Sequence, residues 1–132
     1  MRGVLRESSI RPALTALGLG HIALGAWQIA SPDTFFRRVA AFGVENDHLI
    51  RDVGTLYLAL GLALLASVRK PSWRVPVLFL AVLQYAFHFV NHLVDMGDPN
   101  PAWIGPADAA SLLIVGAALV GLLRAARKAE RS

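Results

Sequence analysis

The sequence predicts an all-α, polytopic membrane protein: a left-handed bundle of four transmembrane helices with a short interfacial helix after the first span. Three observations carry that prediction. The chain is 55% hydrophobic, above the 45–50% usual for soluble domains, and its mean hydropathy is +0.51. Its apolar residues are gathered into four runs, each long enough to cross a hydrocarbon core about 30 Å thick. Its Lys and Arg sit at the ends of those runs. A length of 132 residues suits one domain.

The chain starts with a basic tail, Arg2, Arg6 and Arg11. The first run, residues 12–30, is longer than the h-region of a signal peptide, so it reads as a retained span. Ser31-Pro32-Asp33 ends it, with Ser31 as a cap for a second helix and Pro32 in its first turn. From Thr34 to Phe42, Phe35, Phe36, Val39 and Phe42 oppose Arg37 and Arg38, the pattern of a helix lying on a membrane surface, stopped at Gly43. Asn46-Asp47 is a second cap signal ahead of the span at 49–68, which Arg69-Lys70-Pro71 terminates. The third span covers 73–94, with Pro76 in its first turn. Met96 to Pro101 is a turn-rich loop with no basic residue. The fourth span covers 106–123 and leads into Arg124, Arg127, Lys128 and Arg131.

The basic tails and the basic loop between the second and third spans put both termini in the cytoplasm by the positive-inside rule; Arg37 and Arg38 dissent. The net charge of +4 therefore reads as membrane topology and not as a nucleic-acid surface. Absence of cysteine excludes disulfides and thiolate chemistry.

Each span carries a seam at alternating steps of four and three residues. The first is Leu14, Gly18, His21, Gly25, Gln28. The second is His48, Asp52, Thr55, Ala59, Leu62, Ala66. The third is Val77, Ala81, Gln84, His88, Asn91, Asp95, and the fourth is Asp108, Ser111, Val115, Ala118, Leu122. Small residues let membrane helices approach, and polar ones hydrogen-bond across them. Gly18 and Gly25 suit a dimer face as well as the bundle interior.

The segment Gln84 to Asp95 draws most attention, because Gln84, His88, Asn91, His92 and Asp95 share a helix face. Ionisable groups at membrane depth are functional-site candidates by default. At 1.5 Å per residue, His21 and Gln84 lie roughly 15 Å above the inner ends of their helices, and His88 and His92 rise towards the outer surface. His48, Arg51, Asp52, Asp108 and Ser111 enter at that side. The expected site is a pocket open to the extracytoplasmic side, formed by Gln84, His88, Asn91, His92, Arg51, Asp52, Asp108 and His21.

Several chemistries are open. His88 and His92 have the spacing of two metal ligands, and zinc would take a third from Asp52, Asp95, Asp108 or His48. A hydrogen-bonded network tying helices together accounts for the same residues. His21 with His88 could ligate haem from opposite helices, or His21 could bond Gln84 or a carbonyl. Arg51 could pair with Asp95 or Asp108, or snorkel to headgroups. Trp27, Trp73 and Trp103 read as interface anchors, and Tyr57 and Tyr85 as packing residues.

The segments Ser31-Pro-Asp-Thr-Phe35, Arg51-Asp-Val-Gly54-Thr-Leu-Tyr57-Leu-Ala-Leu-Gly61 and His88 to His92 resemble those of small bacterial four-helix membrane proteins, the domain-of-unknown-function families grouped with DoxX-like proteins. DoxX is a membrane subunit associated with quinone-linked sulfur oxidation. The resemblance implies an accessory role near quinones and carries over no catalytic residue. The functional expectation is a binding or accessory protein whose pocket holds a small polar ligand, a quinone head or a partner. A membrane metalloprotein or haem enzyme, and a structural subunit of a larger complex or homo-oligomer, are the alternatives.

Overall fold

A computed structural model describes residues 7–131; Arg2 and Arg6 of the basic tail lie outside them. Five α-helices account for most of the chain: α1 (Glu7–Ala30), α2 (Pro32–Arg38), α3 (Asp47–Arg69), α4 (Arg74–Val94) and α5 (Ile104–Ala129). A single 3₁₀ turn, Pro71–Trp73, joins α3 to α4, and there is no strand among the described residues. All but α2 are long and apolar enough to cross a membrane, the organisation of a multi-pass membrane protein.

Three of the four spans, α1, α3 and α5, are longer than the apolar runs alone indicate. Helix α1 begins before Pro12, which falls inside it, and α5 continues through the basic residues to Ala129. Asn46 caps α3 as its residue type predicts, its side chain accepting from the Leu49 amide at 3.1 Å. Helix α2 is shorter than expected, ending at Arg38 and not at Phe42. Ser31 holds the cap position, but its hydroxyl is turned to Asp33 and makes no cap bond to the helix backbone. Gly43 follows at φ +63, the left-handed region that favours glycine.

The corner between α1 and α2 is held by a chain of hydrogen bonds. The Trp27 indole donates to the Thr34 hydroxyl at 2.8 Å, Thr34 donates to Ser31 Oγ at 2.8 Å, and Ser31 donates to Asp33 Oδ1 at 3.0 Å. Arg37 closes the chain on the other carboxylate oxygen at 2.9 Å. Ser31, the Thr34 amide and Arg37 together hold the Asp33 carboxyl below its ordinary pKa.

The helices run alternately up and down, and packing is strongest between α1 and α3. That pair owes its closeness to four glycines. A Cβ on Gly25 would lie 2.6 Å from the Gly54 carbonyl, and one on Gly61 would lie 2.8 Å from the Gly18 carbonyl. Gly18 and Gly25 therefore serve the bundle interior. All five residues of the expected α1 seam are buried.

The α3 seam is a correction. Its buried residues are Gly54, Leu60, Gly61, Leu64 and Ser67, while His48, Asp52, Thr55, Ala59 and Leu62 are exposed. The reason is that glycines give backbone contact that no polar residue can match. His48 and Asp52, in the first two turns, reach the bundle's end without entering it. On α4 the buried line is Arg74, Leu78, Ala81 and Tyr85, continued by half-buried His88 and His92. It shares Ala81 and His88 with the expected seam but takes Tyr85 and His92 in place of Gln84 and Asn91. On α5, Asp108, Val115 and Leu122 face inward as expected, together with Ala109, Leu112 and Leu119, whereas Ser111 and Ala118 are exposed.

Around the end that holds the termini, the interior is aliphatic: Leu14, Leu64, Leu78 and Leu119 are completely buried. Two polar groups lie among them. Ser67 donates to the Leu64 carbonyl at 2.6 Å, and the Arg74 guanidinium donates to the Ser67 carbonyl at 3.2 Å. Trp73 and Trp103 stand exposed at helix ends, as anchors would, and the Lys70 ammonium lies 4.8 Å over the Trp73 ring.

Candidate functional site

At the opposite end, where α2 lies, the four long helices part around a cavity of about 600 Å³. This is the size of ordinary small-molecule sites. Its walls are mainly apolar. Phe35 and Phe36 of α2, with Val39 and Phe42 beyond it, form one side, and Leu49, Ile50 and Val53 of α3 another. The Phe42 ring meets the His92 ring edge-on at 4.9 Å between centroids, so the segment after α2 covers the polar part of the cavity.

Each long helix brings polar groups to this space. Helix α1 supplies Gln28, α3 supplies Tyr57, α4 supplies Tyr85, His88, Asn91 and His92, and α5 supplies Asp108 and Ser111. The geometry of these groups fixes several protons. His21, just behind the wall, has Nδ1 at 2.7 Å from the Leu17 carbonyl. A carbonyl can only accept, so Nδ1 carries the hydrogen, and Nε2 of the neutral ring is left to accept. The Tyr85 hydroxyl, 3.0 Å from Nε2, is therefore the donor. Its proton is spent on His21, and it offers only lone pairs elsewhere. The His21 ring also stacks on Tyr57 at 5.6 Å.

His88 and His92 meet through their Nε2 atoms at 3.1 Å. Such a contact needs one N–H and one bare nitrogen, so the two rings hold opposite tautomers when neutral. His92 Nδ1 is buried and has no hydrogen-bond partner, and the Asp108 carboxylate lies 4.0 Å away, beyond hydrogen-bonding reach. Gln28 is 1% exposed, and its Oε1 also has no partner. Buried polar atoms are ordinarily satisfied, so two orphans on one cavity are a pointed departure.

Of the residues expected at the site, His88, Asn91, His92 and Asp108 line the cavity and His21 supports its wall. Gln84, Arg51 and Asp52 do not line it. Arg51 pairs with Asp47 at 3.3 Å on its own helix, not with Asp95 or Asp108. Asp52 faces His48 at 3.4 Å, both largely exposed. Of the candidate third ligands for zinc, His48 and Asp52 face each other off the cavity, Asp95 is not on it, and Asp108 lies on its wall 4.0 Å from His92 Nδ1; among the described residues no three His, Asp or Glu side chains form a group placed to hold a metal ion. Haem ligation by His21 would require it to surrender Tyr85, since both ring nitrogens are engaged.

Tyr57 and Tyr85, expected as packing residues, and Gln28, expected in a seam with no role at the site, all line the cavity. The available signal was spacing. Tyr85, His88 and His92 form one face of α4, and Gln28 lies seven residues beyond His21 on α1.

No family model, curated protein or solved structure matches the chain.

Proposed function

We propose that this protein is a membrane-embedded binding protein that holds a small amphipathic molecule in the cavity beside α2. The ligand's apolar body lies against the phenylalanines and aliphatic walls, and its polar head against Gln28, His88, His92 and Asp108. In this reading the cavity faces the extracytoplasmic side and both termini are cytoplasmic, as the basic residues at the terminus end favour. The observation that carries the reading is the coincidence of a largely apolar cavity of about 600 Å³ with two buried polar atoms, Gln28 Oε1 and His92 Nδ1, that lack partners. A ligand head supplies such partners. The likeness in layout to DoxX-like proteins makes a quinone one head to try, alone or in company with other membrane subunits.

Decylubiquinone, a neutral amphiphile that quenches tryptophan, tests the reading in nanodiscs. The Trp27 ring lies edge-on to Phe35, a residue of the cavity wall, at 5.3 Å between centroids. Saturable quenching is expected, weakened at least roughly 10-fold by His88→Ala and lost when Val115→Phe fills the cavity. Linear, unsaturable quenching that is the same in all three proteins would contradict it.

A further inference from the structure

The charge inventory of the cavity narrows the ligand class, taking the binding reading above as its premise. Among the described residues, Asp108 is the only carboxylate on the cavity wall, and neither Lys nor Arg lines it. Of the guanidinium groups on α2 and the first turns of α3, Arg37 is paired with Asp33 at 2.9 Å and Arg51 with Asp47 at 3.3 Å, while Arg38 is off the cavity wall. The neighbour with a cationic form is His92, whose Nδ1 is 4.0 Å from Asp108 and whose Nε2 is engaged with His88. A carboxylate at membrane depth without a hydrogen-bonded counter-ion is costly.

Two of the other polar groups point the same way. Tyr85 has given its proton to His21 and presents an oxygen that can only accept, and Gln28 Oε1 is an unfilled acceptor. Five aromatic rings, Phe35, Phe36, Phe42, Tyr57 and Tyr85, form the walls, and aromatic faces attract cations once water is excluded. Negative charge, unfilled acceptors and ring faces are together the chemistry of a site for an organic cation.

We propose that the site selects a lipophilic ammonium ion, with Asp108 as its counter-ion and the aromatic rings as its cage. A quinone carbonyl or an anion meets acceptors at the same place and binds less well.

Two probes of one shape test this: naphthylmethyl-trimethylammonium and its neutral isostere with carbon in place of nitrogen. Each is titrated against bound decylubiquinone in nanodiscs. The cation is expected to displace the quinone at a concentration at least roughly 10-fold lower than the isostere does. Asp108→Asn, a near-isosteric change, is expected to erase that preference, so that cation and isostere displace the quinone at equal concentrations. Tyr57→Leu is expected to weaken the cation more than the isostere. Equal displacement by the two probes, or a preference that survives Asp108→Asn, overturns the cation assignment and leaves the binding reading standing. Failure of quinone and both probes to bind overturns both.

Discussion

The two ends of the bundle use the same helices in opposite ways. At the terminus end, Leu14, Leu64, Leu78 and Leu119 are wholly buried and the helices close on one another. At the α2 end the same four helices surround a cavity, and Gln28 and His92 keep polar atoms without partners. Lipid is as apolar as leucine, so association in a membrane rests on contact and on hydrogen bonds between helices. The first end satisfies contact completely. The second gives up both contact and hydrogen bonds, a difference that the proposed binding site accounts for.

The contrast can be broken by mutation, beginning where contact is tightest. Leu64→Ala is expected to destabilise the protein by about 2–5 kcal/mol, whereas Leu49→Ala, on the cavity rim and 59% exposed, should cost much less. Thermal unfolding in detergent followed by circular dichroism compares them directly. Equal losses would mean that the two ends are packed alike.

Gly25→Ala should cost about 1–3 kcal/mol, because the new methyl group meets the Gly54 carbonyl and backbone does not yield easily. Gly20→Ala meets nothing within 4 Å and is the matched control. Tyr85→Phe leaves His21 Nε2 without its donor, at about 1–3 kcal/mol. That change should also weaken the cationic probe more than the quinone, since it removes an acceptor from the cavity. Arg51→Ala falls between 0 and about 1 kcal/mol and should leave binding unchanged, since the Arg51–Asp47 pair is exposed and off the cavity.

The smallest effect concerns pH at the α1–α2 corner. Folding lowers the Asp33 pKa, so its stabilising contribution is present above the usual carboxylate range. That contribution is lost as pH falls through the depressed value. Carboxyl NMR of Asp33 should titrate at lower pH than the same group in Ser31→Ala. An identical midpoint would remove Ser31 from the account.

Much of this organisation is legible in the residues. Four apolar runs and their basic ends suffice for four spans, and the α1 seam is correct because glycine, histidine and glutamine alternate on one face with no rival. On α3 two faces compete. The stripe through His48 and Asp52 is more conspicuous than the one through Gly54 and Gly61, yet the glycines win because close approach outweighs polarity that can find the bundle's end. On α4 two seams share Ala81 and His88 and differ by one residue elsewhere, so the face is right at His88 and displaced at Gln84. Polar groups rising to one end of the helices point to a pocket there, but its apolar wall cannot be read from spacing. It depends on the phenylalanines after α1 folding back beside the helices, a long-range arrangement that no local pattern encodes.

The most direct test is a high-resolution electron cryo-microscopy map of the protein taken from its native membrane into nanodiscs. Non-protein density is expected in the cavity, within hydrogen-bonding distance of Gln28 or His92 and beside Asp108. Helices closed together at the α2 end, with Gln28 and His92 bonded to other side chains and no space between them, would contradict it.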